Sequence, residues 1–360
     1  PMYVTDAKIA DLAQVCNDVI QPTDVTFFGS YLARNGGYGW EATFNAIFGT
    51  TLSQVDGDGD RIVILVSNVR DDNFYDPVNS GSFIAGFFSS FYGFYGDRNF
   101  ITIDSKQWDT RAGNTGHPTR AYTFDSTIAH ELQHLIHADQ SPNEETWLNE
   151  AMSEYAEFLV GFRTEDSHSR TQWQQWPENS LVLWGDQPEA IEILADYQLG
   201  YLFALYTTGR IGGVYTDTAK LTQQTEDGIV GFNKWLSEIA TDGNSDAVGL
   251  TFNEIYEDFR VAMLHGGTTD DTNPMADWHA NFIGDYVSPL KKNGGPDTSE
   301  FYLGRLRDNL DSEGYDSPGA PPFGTDFIEI CWSQAIADAS AWEIAFDGDE
   351  SAPATAWEPI

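Results

Sequence analysis

Positive charge is what this chain most conspicuously lacks: 18 lysines and arginines stand against 56 aspartates and glutamates, a formal net charge of −38 over 360 residues. So negative a surface repels a phosphate backbone, and nucleic acid is not expected as a partner. The acidic residues are spread along the whole chain instead of gathering in one block. That pattern fits a heavily hydrated folded surface better than a disordered acidic tail. A high-salt habitat would suit it, because screening removes much of the self-repulsion; bound calcium is a second way to neutralise it. Cysteine is nearly absent too. Cys16 and Cys331 can make at most one bridge between the ends of the chain, which excludes a disulfide framework, and two free, buried thiols are the expected alternative. Long apolar runs are missing: nothing approaches the roughly 18 residues that a bilayer span needs, and the run at 62–66 is only strand-length. The sequence opens Pro1-Met2-Tyr3-Val4 with no charged-then-apolar leader, as it would if a signal or propeptide had been removed ahead of this numbering. Neither internal repeats nor low-complexity segments occur.

What is present can fill a core. With 41% hydrophobic and 14% aromatic residues, the chain suffices for one large or two modest domains. Residues 7–20 have helical spacing, with Ile9, Leu12, Val15, Cys16 and Val19 on one broad face, and a Gly-rich turn follows near Asn35. Between 50 and 105 the apolar runs at 62–66, 83–88 and 100–103 read as strands. From 125 to about 290 the period becomes helical, at 126–139, 142–160, 188–208, 230–241 and 251–265. Beyond the Pro- and Gly-rich 318–324, two short apolar runs at 327–330 and 342–346 read as a β appendage.

Chemistry concentrates at residues 130–134, His-Glu-Leu-Gln-His, with Asp125 or Ser126 expected to cap the start of their helix. Positions four apart lie on one face of a helix, so His130 and His134 can both reach a single ion at about 2.0 to 2.1 Å. Glu131 is turned from ligation yet near enough to take a proton from a metal-bound water, the role of a general base. A catalytic zinc needs a third protein ligand and an open position. Ser141-Pro-Asn-Glu144 reads as a capping box opening the next helix. Residue 132, the midpoint of the pair, lies about eight residues or 12 Å before the turn at 1.5 Å per residue. If the helices are antiparallel, Glu150 comes level with the pair and Glu154 sits one turn on, placed to accept the ring N–H of a liganding histidine. His137 shares the face of His130, but their α-carbons are about 10 Å apart along the axis, so it is expected to be a neighbour of the site or a surface histidine. Gln140, where a metzincin has histidine, excludes that pattern.

The stretch 129–137, followed by 145–157 with its Asn149-Glu150-x-x-Ser153-Glu154 block, resembles the gluzincin metallopeptidases, and most closely the hyicolysin-type neutral zinc metallopeptidases. The resemblance spans roughly 55–265 and is strong only over 129–157. It implies zinc held by His130, His134 and Glu150, Glu131 as base, a protein or peptide substrate, and an extracellular or cell-surface setting that the surface charge also suits. Asp196-Tyr197-x-x-Gly200 is similar to a helix start in gluzincin aminopeptidases whose tyrosine stabilises the oxyanion, which makes Tyr197 the candidate for that role; His265 and His279 are weaker rivals. The aminopeptidases' amine-binding motif has no counterpart, which favours an endopeptidase. The implied fold is α+β and zincin-like: a small N-terminal mixed sheet with the active-site helix in 1–140, a mainly helical part with the third ligand in 141–295, and a short C-terminal β segment in 296–360.

Asp56, Asp58 and Asp60 alternate through Asp-Gly-Asp-Gly-Asp, a spacing that can wrap calcium, and a solvated loop is the competing reading. Arg61 and Ser67 occupy the positions where an EF-hand has glycine and glutamate, so such a site would be irregular. The aromatic run at 83–100 fits a strand that pairs with substrate beside the metal, or core packing, and the Trp-rich 173–184 fits a cleft wall or a cover for the helical part. Two other function classes share these residues: an adhesion protein with an idle peptidase domain, and a zinc hydrolase of non-peptide substrates. The intact His-Glu-His-Glu set disfavours the first.

Overall fold

Among the described residues, three short strands and eight longer helices make up the fold that carries the site. The computed structural model describes residues 4–34, 61–80, 82–91, 93, 97–113, 122–162, 179–185, 193–211, 215–265 and 322–324. Asp56, Asp58, Asp60, His279, Cys331, residues 173–178 and the expected C-terminal β segment lie outside them, as does the side chain of His265.

Helix α1 (Asp6–Val15) is capped by Thr5, whose hydroxyl accepts from the Lys8 N–H, and it runs through a π turn (Cys16–Ile20) into α2 (Gln21–Phe28). The expected helix at 7–20 is therefore only the first part of a longer one. Pro22 does not stop it; it follows directly on the π turn, where the regular i to i−4 ladder is already interrupted. Cys16 is buried and free.

Strands β1 (Ile62–Ser67), β2 (Gly86–Phe88) and β3 (Asn99–Asp104) form a mixed sheet in the order β1-β3-β2. β1 runs parallel to β3, with Ile64 opposite Ile101, and β2 runs antiparallel to it, with Phe87 opposite Thr102. Ile101 and Ile103 of β3 are completely buried, and helix α3 (Thr123–Gln140) lies across β2 and β3. The approach of β2 depends on Gly86. A Cβ there would come within 2.7 Å of Thr127 Cγ2 and 2.8 Å of the Thr102 carbonyl.

After a tight turn, α4 (Thr146–Leu159) packs back on α3, and α5 (Ile193–Arg210) packs on α4. Gly200 brings α5 close, since a Cβ there would meet Ala151 Cβ at 3.3 Å. Helices α6 (Tyr215–Thr222), α7 (Gly228–Thr241) and α8 (Phe252–His265) complete the helical part. Its core is aromatic. Phe203 has its ring centroid 5.5 Å from those of Phe252 and Phe259 and 5.8 Å from that of Phe232, with Trp147 edge-on at 6.2 Å. The fold is thus α+β, with more helix than strand. Among the described residues no helix is long and apolar enough to cross a membrane.

Both predicted helix starts at the site are displaced. Helix α3 begins at Thr123, after Tyr122 in a left-handed conformation, so Asp125 and Ser126 point inward instead of capping. Asp125 Oδ2 accepts the Gly113 N–H at 2.8 Å, and Ser126 Oγ donates to Glu157 Oε2 at 2.6 Å. Helix α4 begins at Thr146 with Glu145 as its N-cap, and the expected capping box does not form. Glu144 reaches across to the Gly228 N–H at the start of α7 instead.

Candidate metal centre

His130 and His134 project from α3 with their Nε2 atoms 3.1 Å apart. From α4, Glu150 brings Oε2 to 3.2 Å from His130 Nε2 and 3.3 Å from His134 Nε2. Ligands at about 2.0 to 2.1 Å from a tetrahedral ion are separated from one another by about 3.3 Å, so these three atoms already have the edge length of one face of such a site. The buried Oε2 of Glu150 accepts no hydrogen bond of good geometry despite these short approaches. The three atoms lie close enough together to share one ion, and the group can hold a metal ion.

Behind each histidine lies an acceptor for its other ring nitrogen. His134 Nδ1 meets Asn149 Oδ1 in a short hydrogen bond and lies 3.0 Å from Ser153 Oγ. His130 Nδ1 has Glu154 Oε1 and Glu157 Oε1 each at 3.4 Å. Glu154 therefore stands where a ring N–H acceptor is needed, and Glu157 doubles it. Those three residues are also close enough to share an ion. With Nε2 committed to the first point, however, Nδ1 keeps its proton and the carboxylates serve as acceptors.

The cluster is electrostatically tight. Burial works against charge on His130, but Glu150, Glu154 and Glu157 outweigh it and hold its pKa well above the usual imidazole range. Burial opposes charge on His134 as well, and Glu150 again prevails, raising its pKa. Glu150 shows the converse: burial pushes its carboxyl upward, and the two histidines pull it far below the ordinary value. Glu131, next to His130 on α3 and only 6% exposed, is raised by burial despite the downward pull of both histidines, and the Phe88 N–H on β2 donates to it. Tyr197, on α5, lies with its ring 6.2 Å from that of His130 and has Trp184 edge-on at 4.8 Å. Burial, helped by Glu150, keeps its hydroxyl protonated far into the alkaline range.

His137 points away from this triangle. It is fully buried, which corrects the surface alternative, with Nδ1 3.3 Å from Gln133 Nε2 and Nε2 3.7 Å from Glu144 Oε2. Asn149, Ser153, Gln133 and Glu157 escaped the sequence reading as contributors. Asn149 and Ser153 stood in the block that carries the resemblance, and Glu157 lies on the face of Glu150 and Glu154; Gln133 carried no such signal. Deeper still, Asp24 is completely buried and its carboxyl is pushed well above the usual range. Burial, with Asp24 and Asp125 nearby, pushes the Cys16 thiol up to about 12. No family model matches the sequence, and no curated protein matches it either.

Proposed function

We propose that this chain is a zinc-dependent endopeptidase of the gluzincin type with a zincin-like site, and that it works outside the cell on protein or peptide substrates. The observation that carries the reading is the three-atom face of His130, His134 and Glu150 with Glu131 buried beside it. Two imidazoles, one carboxylate and tetrahedral spacing suit zinc better than calcium or magnesium, which take all-oxygen shells. When bound, zinc supplies Lewis acidity to the scissile carbonyl and to an attacking water.

The protein's own residues do the rest. Glu131 takes the water's proton and later delivers it to the leaving amine; its raised pKa suits a group that must hold a proton between the two steps. Tyr197, protonated at every working pH, donates to the developing oxyanion. Strand β2 is an end strand among the described residues, and its Phe88 N–H already touches Glu131. An extended peptide adding along that strand would lie beside the base. The acidic surface suits an extracellular, salt-rich setting.

The deciding experiment pairs elemental analysis with casein hydrolysis, with and without a zinc chelator, at low and high salt. One zinc per chain and chelator-sensitive cleavage are expected. Glu131→Gln should keep the metal and lose turnover by about 10² to 10⁴-fold. Full metal content with no cleavage at either salt concentration would overturn the peptidase reading.

A further inference from the structure

On the side of His134 away from the triangle, a line of buried polar groups runs to the turn between α3 and α4. Ser153 Oγ lies 3.0 Å from His134 Nδ1, and the same hydroxyl donates to Gln133 Oε1 in a short hydrogen bond. Gln133 Nε2 is 3.3 Å from His137 Nδ1, and His137 Nε2 faces Glu144 Oε2 at 3.7 Å. Glu144 Oε1 in turn accepts the backbone N–H groups of Glu145 at 2.8 Å and of Gly228 at 2.7 Å, where α7 begins. Ser153, Gln133 and His137 are completely buried, as is the side chain of Glu144.

The chemistry of each group decides where the protons go. An amide nitrogen can only donate, so His137 Nδ1 accepts from Gln133 and the ring proton lies on Nε2, toward Glu144. The amide oxygen of Gln133 can only accept, so Ser153 gives it its one proton and is left to accept from His134 Nδ1. That order leaves His134 Nε2 bare for a metal. The reverse order, with the Gln133 amide turned over, would deprive the Ser153 proton of that acceptor and leave it either the Asn149 carbonyl oxygen at 3.1 Å or His134 Nδ1; the second choice puts the ring proton on Nε2, closing it to metal. The flipped amide would also turn a bare His137 Nε2 toward Glu144, setting two buried lone pairs against each other. Held by two backbone N–H groups at a helix N-terminus, Glu144 is a carboxylate fixed in place; at 3.7 Å it is beyond hydrogen-bond distance of His137 Nε2, and it favours the metal-ready direction through its charge.

We propose that His137 and Glu144 are positioning residues for the metal ligand His134, acting through Gln133 and Ser153 to keep its proton on Nδ1 and its Nε2 open. Asn149 supports the same tautomer independently, so removing the line weakens metal retention without abolishing it. The inference rests on the metal-site reading above.

The test is the rate at which the zinc-loaded protein releases metal to an excess of chelator, supported by the visible spectrum of the cobalt(II)-substituted protein. His137→Phe and Ser153→Ala should each release zinc about ten-fold faster or more, and the double variant no faster than Ser153→Ala alone. His137→Gln, which can accept at one end and donate at the other, should restore most of the retention; a purely space-filling role would be served as well by Phe as by Gln. If His137→Phe does not fold, Glu144→Ala in the turn reads the same link, with faster release expected. A parent protein that takes up no metal refutes the metal-site reading itself. A parent that holds zinc, beside a folded His137→Phe or Glu144→Ala that releases it at the parent rate, overturns the proposal alone, as does additivity in the double variant.

Discussion

Metal uptake by this cluster must compete with protons, and the geometry sets how strongly. Glu150 and its neighbours raise the pKa of both His130 and His134 above the ordinary imidazole value of about 6.5, so in the metal-free protein both rings hold protons to higher pH than free histidine would. Glu150 is shifted the opposite way and is already ionised, so it contributes no proton. Binding must therefore expel protons from the two rings, up to two in sufficiently acid solution. Each costs a factor of ten in affinity per pH unit, so where both rings are protonated zinc affinity should rise about 100-fold per pH unit, roughly 2.7 kcal/mol. The assay is competition with a chelator from pH 5 to 9, joined to calorimetry in two buffers of different protonation enthalpy, which counts the protons directly. For the metal-free fold the signs follow from the same shifts. The raised histidines contribute stability below about pH 6.5 that disappears as pH climbs through their folded values, and the lowered Glu150 contributes stability above about pH 4.5 that is lost on acidification. The metal-free protein should therefore lose thermal stability from pH 6 to 8 while the zinc-loaded protein does not. An affinity already flat above pH 6.5, with no proton released at pH 7, would refute the reasoning.

Two further outcomes test the scaffold. Phe203→Ala removes a ring that is 1% exposed and surrounded by Trp147, Phe232, Phe252 and Phe259, and it should cost about 3 to 5 kcal/mol in urea unfolding; a loss under 1 kcal/mol would mean that this cluster is not close-packed in solution. With a net charge of −38, the protein should gain stability with salt as screening shortens from about 10 Å at 0.1 M to about 3 Å at 1 M. A melting temperature that stays level or falls over that range would show that self-repulsion is not what limits stability.

What could be read from the sequence was what depends on local spacing. His130, Glu131 and His134 follow from the pitch of one helix, and Glu150 from the length of a turn between two. The three strands were visible as apolar runs, but not their order, because placing β3 between β1 and β2 is decided by what packs on α3 across tens of residues. Helix α6 was missed because its sequence, Tyr-Thr-Asp-Thr-Ala-Lys-Leu-Thr, has too few apolar residues to show a period.

The misread helix starts share one physical cause. Asp125, Ser126 and Glu144 are residue types that cap helices, and at each position a partner distant in sequence competed for the same side chain. Gly113 took Asp125, Glu157 took Ser126, and the N-terminus of α7, 84 residues further on, took Glu144. A local cap is worth about 1 kcal/mol, whereas leaving a buried donor or acceptor unmet costs about 1 to 3 kcal/mol, so inside a core the distant partner wins. His137 belongs to the same class. At the surface it would need no partner, but buried it turns Nδ1 to the Gln133 amide and Nε2 toward the Glu144 carboxylate, which at 3.7 Å is an electrostatic neighbour and not a hydrogen-bond partner. A buried helix whose polar side chains all require partners can adopt few proton arrangements, and that constraint extends to the nitrogens that face the metal.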